Sequence, residues 1–375
     1  MKLLYSEANS GDLVHHFAAV DLGLTETDDR APGRADGPVV RVEAPAGGPV
    51  WIVTDADLAR TVLTDPRIVK DPASAPPHWD PQRAGLEQTA AEQPSLTTLD
   101  GPGHAELRRA HAPLLSAKRV RENADRVRAT ARRLLAELPR EVDLMADFTT
   151  RYPLTVLLDL LGIPPVHVDR AAAACRLLVG GDPATAIAEL AAVAEHGVDG
   201  AGLAAELRDR VPPGTTRADL RYHLFSLIFA GQLTTDAALG RTVAHALTDR
   251  PSASAEADFV RDTLRRHPPA PYSLWRFTAT AIELAGEHLP AHSPVLVDIA
   301  AVNADPTRDD DLTFGAGPHF CIGAQLALLE LRAVVAVLRD DYPDARLAVP
   351  LADLRHTGPG GIMGSRLTAL PVILE

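Results

Sequence analysis

Leucine, alanine and valine recur at three- and four-residue intervals along much of this chain, with Arg, Asp and Glu on the remaining positions. This period is typical of amphipathic α-helices. It predicts helices through most of residues 103–211, with a break at the Gly-Gly-Asp-Pro of 180–183, and again over 218–247 and 255–266. A last long helix is predicted from about 322 to 340. Glycines and prolines separate these segments because both residues interrupt helices.

Short apolar stretches towards both ends of the chain have the length and period of β-strands. Residues 39–43 and 49–53 flank a Gly turn and predict two strands, followed by a short helix over 55–63. Residues 270–302 are strand-like, and residues 70–98, rich in Pro, Ala and Gln, predict a long loop, with disorder as the alternative. The predicted fold class is mainly α with small β-sheets.

Composition and charge narrow the classes of function. Of the 375 residues 46% are hydrophobic and 23% charged, as in globular proteins that bury a sizeable core. The net charge of −13 argues against nucleic acid or an anionic membrane as the main partner. No apolar run has the length of a membrane span, and the N-terminus turns polar too early for a signal peptide. We expect a soluble, cytoplasmic protein.

The chain has two cysteines, which offer neither a disulfide framework nor a zinc motif. Cys175 lies in an Ala-rich segment and is expected to be a buried, inert thiol. Cys321 is different, because two glycines and a proline precede it and a predicted helix follows it. A tight turn and a helix N-terminus can direct backbone N–H groups at a sulfur and favour the thiolate. The sequence therefore predicts a metal-binding thiolate at Cys321.

Residues 314–327 read Phe-Gly-Ala-Gly-Pro-His-Phe-Cys-Ile-Gly-Ala-Gln-Leu-Ala. This stretch resembles the haem-binding signature of the cytochrome P450 family, Phe-Gly-x-Gly-x-His-x-Cys-x-Gly-x-x-Leu-Ala, at every fixed position. The resemblance implies haem b, with Cys321 as the axial iron ligand, and the family's fold, a triangular, helix-rich single domain over residues 1–375 with a variable segment of about the first 37 residues. The signature residues implied to frame the cofactor are Phe314, Gly315, Gly317, His319, Gly323 and Ala327.

Further resemblances indicate the side chains that would bind the haem propionates. Residues 100–109 resemble the family's segment leading into its C helix, where a His and an Arg four apart share one helix face. The resemblance carries this role to His104 and Arg108, which would otherwise be interpreted as a solvated surface pair. His319 and Arg276 match two more contacts, and a guanidinium fork suits a carboxylate.

The sequence Ala-Gly-Gln-Leu-Thr-Thr over 230–235 resembles the centre of the family's long I helix. There Ala230 and Gly231 would let the helix bulge beside the oxygen site, and Thr234 would hydrogen-bond bound dioxygen and pass protons to it. The hexapeptide alone could equally indicate helix packing. The family usually has an acid before this threonine, whereas this chain has Leu233, which cannot titrate or hydrogen-bond.

Two other segments depart from the family pattern. The family's Glu-x-x-Arg brace of the haem region appears as Asp262 and Arg265, with a shorter acid; the alternative is an ordinary solvated helix pair. The segment 304–313 is shorter than the corresponding meander of the family. Within it, Arg308 is the candidate for the arginine that completes the family's brace. This shortened segment alters the face on which redox partners would dock.

The resemblance also implies the substrate pocket and the partners. Phe229, Leu274, Ile362 and Met363 match pocket positions, although apolar residues more often fill cores. The electrons would come from NAD(P)H through a separate ferredoxin and ferredoxin reductase, and the protein would be a monomer.

The predicted function is that of a haem-thiolate monooxygenase that inserts one oxygen atom from O2 into a small organic substrate in secondary-metabolite biosynthesis. One alternative is a non-hydroxylating oxidation such as coupling, cyclisation or desaturation, which Leu233 favours. The other alternative is a degenerate haem-binding protein without turnover.

Overall fold

A computed structural model describes residues 37–43, 48–80, 93, 95–305, 311–357 and 364–375. Short strands occur in both halves of this part of the chain. They are β1 (Val39–Glu43), β2 (Pro49–Val53), β3 (Ile68–Val69), β4 (Glu141–Asp143), β5 (Arg276–Thr278), β6 (Ile282–Leu284), β7 (Glu287–Leu289), β8 (Pro294–Val297), β9 (Arg346–Leu347) and β10 (Pro371–Ile373).

The strands form one larger and two smaller sheets. The larger sheet has the order β1-β2-β8-β5-β3, in which β2 and β8 are parallel and the other pairs antiparallel. One small sheet has the order β4-β10-β9, and the other is the β6-β7 hairpin. The larger sheet therefore joins the N-terminal strands to the segment that carries Arg276, which starts β5.

Helices make up most of the rest of the described chain. They are α1 (Ala56–Thr64), α2 (Gly101–His111), α3 (Ala117–Glu122), α4 (Ala124–Ala136), α5 (Leu144–Asp147), α6 (Arg151–Leu161), α7 (Val168–Gly180), α8 (Pro183–Val198), α9 (Gly202–Arg210), α10 (Arg217–Asp249), α11 (Glu256–Arg266), α12 (Ile299–Asn303) and α13 (Ala324–Asp341).

The 33-residue helix α10 passes through the main hydrophobic core. It begins at a capping box, in which the Thr216 hydroxyl accepts from the Asp219 N–H while the Asp219 carboxylate accepts from the Thr216 N–H. It packs against α6, α8 and α13, and leucine, valine and alanine side chains fill the space between them. A helix buried on most of its circumference is a rigid support for a site.

The structure confirms the predicted fold class and most predicted elements. Strands β1 and β2 coincide with the predicted 39–43 and 49–53. Helix α1 starts one residue late because the Asp55 carboxylate caps it, accepting from the N–H groups of Asp57 and Leu58. Helix α13 starts at Ala324 rather than 322.

Three predictions about elements were wrong or incomplete. The strand-like reading of 270–302 fails at α12, where the Asp298 carboxylate accepts from the Ala301 N–H and starts a helix. Strand β4 interrupts the region predicted to be helical over 103–211, because it pairs with β10 far along the chain. In the predicted loop 70–98, Pro72–Ser74 form a 3₁₀ turn, and residues 81–92 and 94 lie outside the described part.

Within the described residues, no helix is both long enough and apolar enough to cross a membrane. The predicted variable segment lies outside the described residues, apart from Gly37.

Candidate haem site

Cys321 lies in a tight loop that leads into the first turn of α13. Its backbone N–H donates to the carbonyl oxygen of Phe314, with an N···O distance of 2.9 Å. The backbone N–H groups of Gly323 and Ala324 hydrogen-bond to its sulfur, and Ala327 continues the helix by donating to the Gly323 carbonyl at 3.0 Å. The sulfur therefore lies at a helix N-terminus where donors are free.

Two glycines of this loop have a backbone that other residues rarely adopt. Gly315 and Gly317 have φ angles of +70° and +68°. A Cβ atom at Gly317 would lie 2.7 Å from Cγ2 of Thr64 and 3.0 Å from the carbonyl oxygen of Leu63. The loop therefore packs directly on the end of α1, and a side chain at Gly317 would push the loop away from this helix.

The surroundings of Cys321 act on the pKa of its thiol in opposite directions. Burial raises its pKa, although the N–H groups of Gly323 and Ala324 and the charge of Arg108 act to lower it. The backbone donors act on the pKa in the predicted direction, but desolvation outweighs them. A bound metal deprotonates a coordinating thiol outright, so the loop suits a sulfur whose charge is shared with iron. Although protein atoms surround the sulfur closely enough to desolvate it, part of the residue's surface stays open, so a ligand can reach Cys321.

Arg108, on α2, contacts the cysteine loop. Its Nη2 donates to the carbonyl oxygen of Phe320 at 2.6 Å. Phe320 itself is 41% exposed although it is a large apolar residue. The structure therefore places Arg108 beside the loop that carries Cys321, and its contact with a propionate stays a prediction.

A cluster of basic side chains surrounds Asp100, the N-cap residue of α2. His319 Nε2 lies 3.2 Å from Asp100 Oδ1, and the backbone N–H of Lys70 donates to Asp100 Oδ2 at 2.6 Å. The rings of His104 and His319 lie 4.0 Å apart. Arg276 is buried, and its charge interacts with Asp100. The structure thus brings together three of the predicted propionate ligands and adds Lys70.

This cluster holds more basic side chains than the single carboxylate of Asp100 can pair with. Burial is the main cause that lowers the pKa of Lys70 to about 7, of Arg276 to about 10 and of His104 to about 4. His104 Nε2 and Arg276 Nε are buried without a hydrogen-bond partner in the described structure. Buried donors of this kind require an anion or water. The two carboxylates of haem fit that requirement, so the residues present fit the cofactor.

Helix α10 presents an accessible face within its otherwise buried central part. Ala230 is exposed, and Gly231, Leu233 and Thr234 are partly exposed. The Thr234 hydroxyl donates to the carbonyl oxygen of Ala230 at 3.1 Å. An accessible stripe on a core helix indicates that this face borders a space rather than packed side chains.

The predicted bulge at Ala230 and Gly231 is not present, because α10 is α-helical throughout. A Cβ atom at Gly231 would lie 3.0 Å from Cδ1 of Leu157 on α6. Gly231 therefore allows close packing of α6 on α10. Asp236 faces away from Thr234, as the sequence predicts, and forms an ion pair with Arg366.

The predicted pocket residues differ in their surroundings. Leu274 is 42% exposed, close in sequence to Arg276 of the basic cluster. Phe229 packs against Phe225, with ring centroids 5.4 Å apart, and against the main core. Ile362 and Met363 lie outside the described residues.

Trp79, in the predicted long loop, packs in an aromatic cluster with Trp275 and Phe277.

The predicted brace residues are in contact. Arg265 Nη2 lies 3.2 Å from Asp262 Oδ1, and Arg265 Nη1 donates to the carbonyl oxygen of Asn303 at 3.2 Å. Asp262 also accepts from Arg266 at 2.9 Å. Asn303 in turn accepts from the Leu312 N–H through Oδ1 at 2.8 Å. These contacts connect α11 to the chain that leads to the cysteine loop. Arg308 lies outside the described residues.

The sequence patterns do not single out Lys70, Asp100 or Arg366. Lys70 and Asp100 are 30 residues apart, and the backbone N–H of Lys70 donates to the Asp100 carboxylate. No local sequence pattern indicates this contact. Arg366 could have been noticed as a single charged residue among the apolar positions of the C-terminal strand segment.

This chain is similar in sequence and in structure to known proteins. The chain is 41% identical to the cytochrome P-450 monooxygenase DoxA of Streptomyces sp. (strain C5), over 91% of this chain and 93% of DoxA. It is 28% identical to the 20-oxo-5-O-mycaminosyltylactone 23-monooxygenase of Streptomyces fradiae, over 88% of this chain and 86% of that enzyme. Among solved structures, CYP154A1 from Streptomyces coelicolor A3(2) superposes with a TM-score of 0.77 and 28% identity, over 90% and 95% of the two chains. No protein-family model matches.

This helical fold with its cysteine loop is similar to that of known haem-thiolate monooxygenases. The similarity to DoxA over nine-tenths of both sequences shows that the chain belongs to the cytochrome P450 family. The predicted family, fold and enzyme class are therefore confirmed. The protein is a P450 monooxygenase that uses haem, takes electrons from a redox partner and acts on small molecules.

Proposed function

We propose that this P450 monooxygenase inserts one oxygen atom of O2 into a C–H bond or double bond of a small secondary metabolite. Two features of the structure support this proposal: Cys321 has backbone donors at its sulfur, and the buried basic cluster contains two nitrogens, on His104 and Arg276, without a hydrogen-bond partner. The substrate class is supported by the mycaminosyltylactone named for one relative.

We propose haem b as the cofactor; when bound, it supplies the activation of dioxygen. Cys321 would hold the iron, and Gly323 and Ala324 would donate to its sulfur. His104, His319 and Arg276 would bind the propionates, together with Lys70. Hydrogen bonds and ion pairs with the propionate carboxylates would satisfy the basic groups that Asp100 leaves unpaired.

Thr234 would hold and pass a proton at its Oγ1 atom. For this the hydroxyl must exchange its hydrogen bond to Ala230 for one to the reacting oxygen, which a χ1 rotation allows because threonine has two accessible rotamers in a helix. Leu233 cannot supply the proton. Asp236 faces away and is engaged by Arg366. Proton delivery would therefore depend on Thr234 and on water that reaches the accessible face of α10.

Electrons would come from NAD(P)H through a ferredoxin reductase and a ferredoxin. The protein would act as a soluble, cytoplasmic monomer, and residues 1–375 would form one catalytic domain. The brace formed by Asp262, Arg265 and Asn303 would keep the cysteine loop in place during electron transfer.

A second function, a coupling, cyclisation or desaturation, is favoured by one specific feature, Leu233. Such reactions retain no oxygen from O2 in the product and depend less on a proton relay. Turnover in 18O-labelled dioxygen separates the two. Compounds that shift the haem to high spin would be incubated with the protein, NADPH and a surrogate ferredoxin and reductase. One 18O atom in the product supports the insertion, and an oxidised product without label supports the second function.

A further inference from the structure

Arg366 and Asp236 form an ion pair inside the protein, on the face of α10 that points away from Thr234. Arg366 Nε lies 2.9 Å from Asp236 Oδ2, and Nη2 lies 3.4 Å from Oδ1. The side chain of Asp236 is 6% exposed and that of Arg366 21%. Residues two apart on a helix are about 200° apart around its axis. The same turn of α10 therefore carries Thr234 on one side and this pair on the other.

Further contacts hold the Arg366 guanidinium in one position. Its Nη2 donates to the carbonyl oxygen of Met145 at 3.0 Å and lies 3.4 Å from the Thr150 hydroxyl. The Thr150 hydroxyl donates to Asp236 Oδ2 at 3.1 Å. The pair is therefore part of a buried hydrogen-bonded network, which specifies geometry more sharply than apolar contact does.

The next turn of α10 also contacts the C-terminal segment. A Cβ atom at Gly240 would lie 3.4 Å from Cδ1 of Leu367 and 2.6 Å from Sδ of Met145. Asp236 and Gly240 are four residues apart and share one helix face. Two consecutive residues therefore contact two consecutive turns of α10: Arg366 contacts Asp236, and Leu367 packs near Gly240.

The other end of this segment contacts the chain around Pro269 and Pro271. Gly364 has a φ angle of +65°, and a Cβ atom there would lie 2.6 Å from the carbonyl oxygen of Pro269 and 2.9 Å from Cδ of Pro271. The chain from Pro269 continues to the exposed Leu274 and to Arg276 of the basic cluster. Residues 364–366, which we call the bridging segment, therefore connect α10 with the chain that leads to Leu274 and Arg276.

We propose that Asp236 and Arg366 are a positioning pair that determines substrate specificity. By fixing one end of the bridging segment on α10, they set the distance between the Thr234 turn and the segment that carries Leu274. That distance limits the size and orientation of molecules that can approach the iron. The inference rests on the proposed function, since it assumes a haem held by Cys321.

Two azoles test the proposal without knowledge of the substrate. Imidazole and 4-phenylimidazole both bind ferric haem iron and shift its Soret band, but the phenyl group also requires space beside the iron. The double variant Asp236→Leu with Arg366→Met removes both charges together, because removal of one would leave an unpaired buried charge. A matched control is Glu256→Leu with Arg339→Met, a partly buried pair near the far end of α13, about 20 Å along that helix from the cysteine loop.

The ratio of the two dissociation constants is the decisive quantity. We expect the Asp236/Arg366 double variant to bind imidazole like the wild type and 4-phenylimidazole about tenfold more weakly, since the pocket is no longer pre-organised. The control variant should leave the ratio unchanged. An unchanged ratio in the first variant would overturn the proposal, because a pair that only stabilises the fold affects neither ligand.

A second variant tests the same proposal if the double variant does not fold. Arg366→Lys keeps the charge and loses the fork, and it should change the same ratio in the same direction by about threefold. If folded Arg366→Lys protein keeps the wild-type ratio, the proposal is wrong. If imidazole shifts no Soret band in the wild type, the proposed function fails and this inference falls with it.

Discussion

Arg108 Nη2 donates a hydrogen bond of 2.6 Å to the carbonyl oxygen of Phe320, the residue before Cys321. The two residues are 212 positions apart in the chain, and the contact ties α2 to the cysteine loop. Burial raises the pKa of the Cys321 thiol, and the charge of Arg108 acts against that increase. One side chain therefore both holds the loop and favours the charged sulfur.

Arg108→Ala should weaken the thiolate ligation. Without the guanidinium the loop loses a charge-assisted hydrogen bond and the sulfur loses a nearby positive charge. We expect a larger fraction of the ferrous carbon monoxide complex to absorb where haem without a thiolate ligand does. Arg109→Ala, an exposed neighbour, is the control. Equal fractions in both variants would show that the contact is not needed.

Thr234→Ala should separate dioxygen consumption from product formation. The alanine lacks the hydroxyl that would pass protons, while haem binding depends on other residues. Loss of a proton-transfer group typically costs about 100-fold or more in rate, so product per NADPH consumed should fall sharply, with the Soret spectrum unchanged. Thr235→Ala is the matched control, since Thr235 is buried. A wild-type product yield from Thr234→Ala would mean that another group delivers the proton.

Leu233→Glu should raise the yield of an oxygen insertion if proton delivery limits it. Leu233 is partly exposed on the accessible face of α10, so a carboxylate there stays solvated. Product per NADPH is compared with that of Leu233→Gln, which has nearly the same shape and does not titrate. A lower yield from Leu233→Glu than from Leu233→Gln would indicate that the chemistry does not use such a relay, as in the coupling alternative.

Lys70→Met should release haem faster. Lys70 is 6% exposed in a cluster whose carboxylate is Asp100, and loss of a buried charge contact weakens binding by at least about tenfold. The rate of haem transfer to apomyoglobin measures the effect directly. Lys118→Met, at an exposed position, should leave the rate unaltered. If Lys70→Met retains haem as the wild type does, the ammonium does not bind a propionate.

Glu330→Gln should change the pH dependence of stability. Burial raises the pKa of Glu330 well above its usual 4.5, and its Oε1 has no hydrogen-bond partner within the described structure. The folded state therefore keeps a proton that the unfolded state releases above about pH 4.5. The contribution of the Glu330 proton to the free energy of unfolding is fully present below that pH. This contribution is lost as the pH rises towards the folded pKa, by up to about 1.4 kcal/mol per pH unit.

Thermal unfolding of the holoprotein between pH 5 and pH 8 checks this sign. The Tm of Glu330→Gln minus that of the wild type should grow with pH, because glutamine has no proton to lose. Other groups titrate equally in both proteins and cancel in the difference. A difference that stays constant or shrinks would show that Glu330 is ionised in the folded protein.

Local pattern was sufficient where local forces decide the structure. The periodic Leu and Ala positions predicted α10 to within two residues at each end, because its capping box and its long buried face are both encoded nearby. The tight turn before Cys321 could also be predicted, since the φ angles of Gly315 and Gly317 exclude most other residues. In these cases the residue type reports a backbone requirement directly.

Contacts between distant segments could not be predicted in this way. The hydrogen bond from the Lys70 backbone to Asp100, and the pair of Asp236 with Arg366 across 130 positions, depend on how helices and strands pack. The raised pKa of the Cys321 thiol was also missed, because desolvation is a property of the whole surroundings. Residue type shows that a group can titrate, and burial decides in which direction its pKa moves.

The most direct test of the central claim is the absorbance spectrum of the purified protein, reduced with dithionite under carbon monoxide. Ligation of haem iron by Cys321 predicts the strongly red-shifted Soret band of a haem-thiolate complex, and its loss in Cys321→Ala. A protein that binds no haem even after reconstitution, or a band at the same position in wild type and Cys321→Ala, would contradict the account.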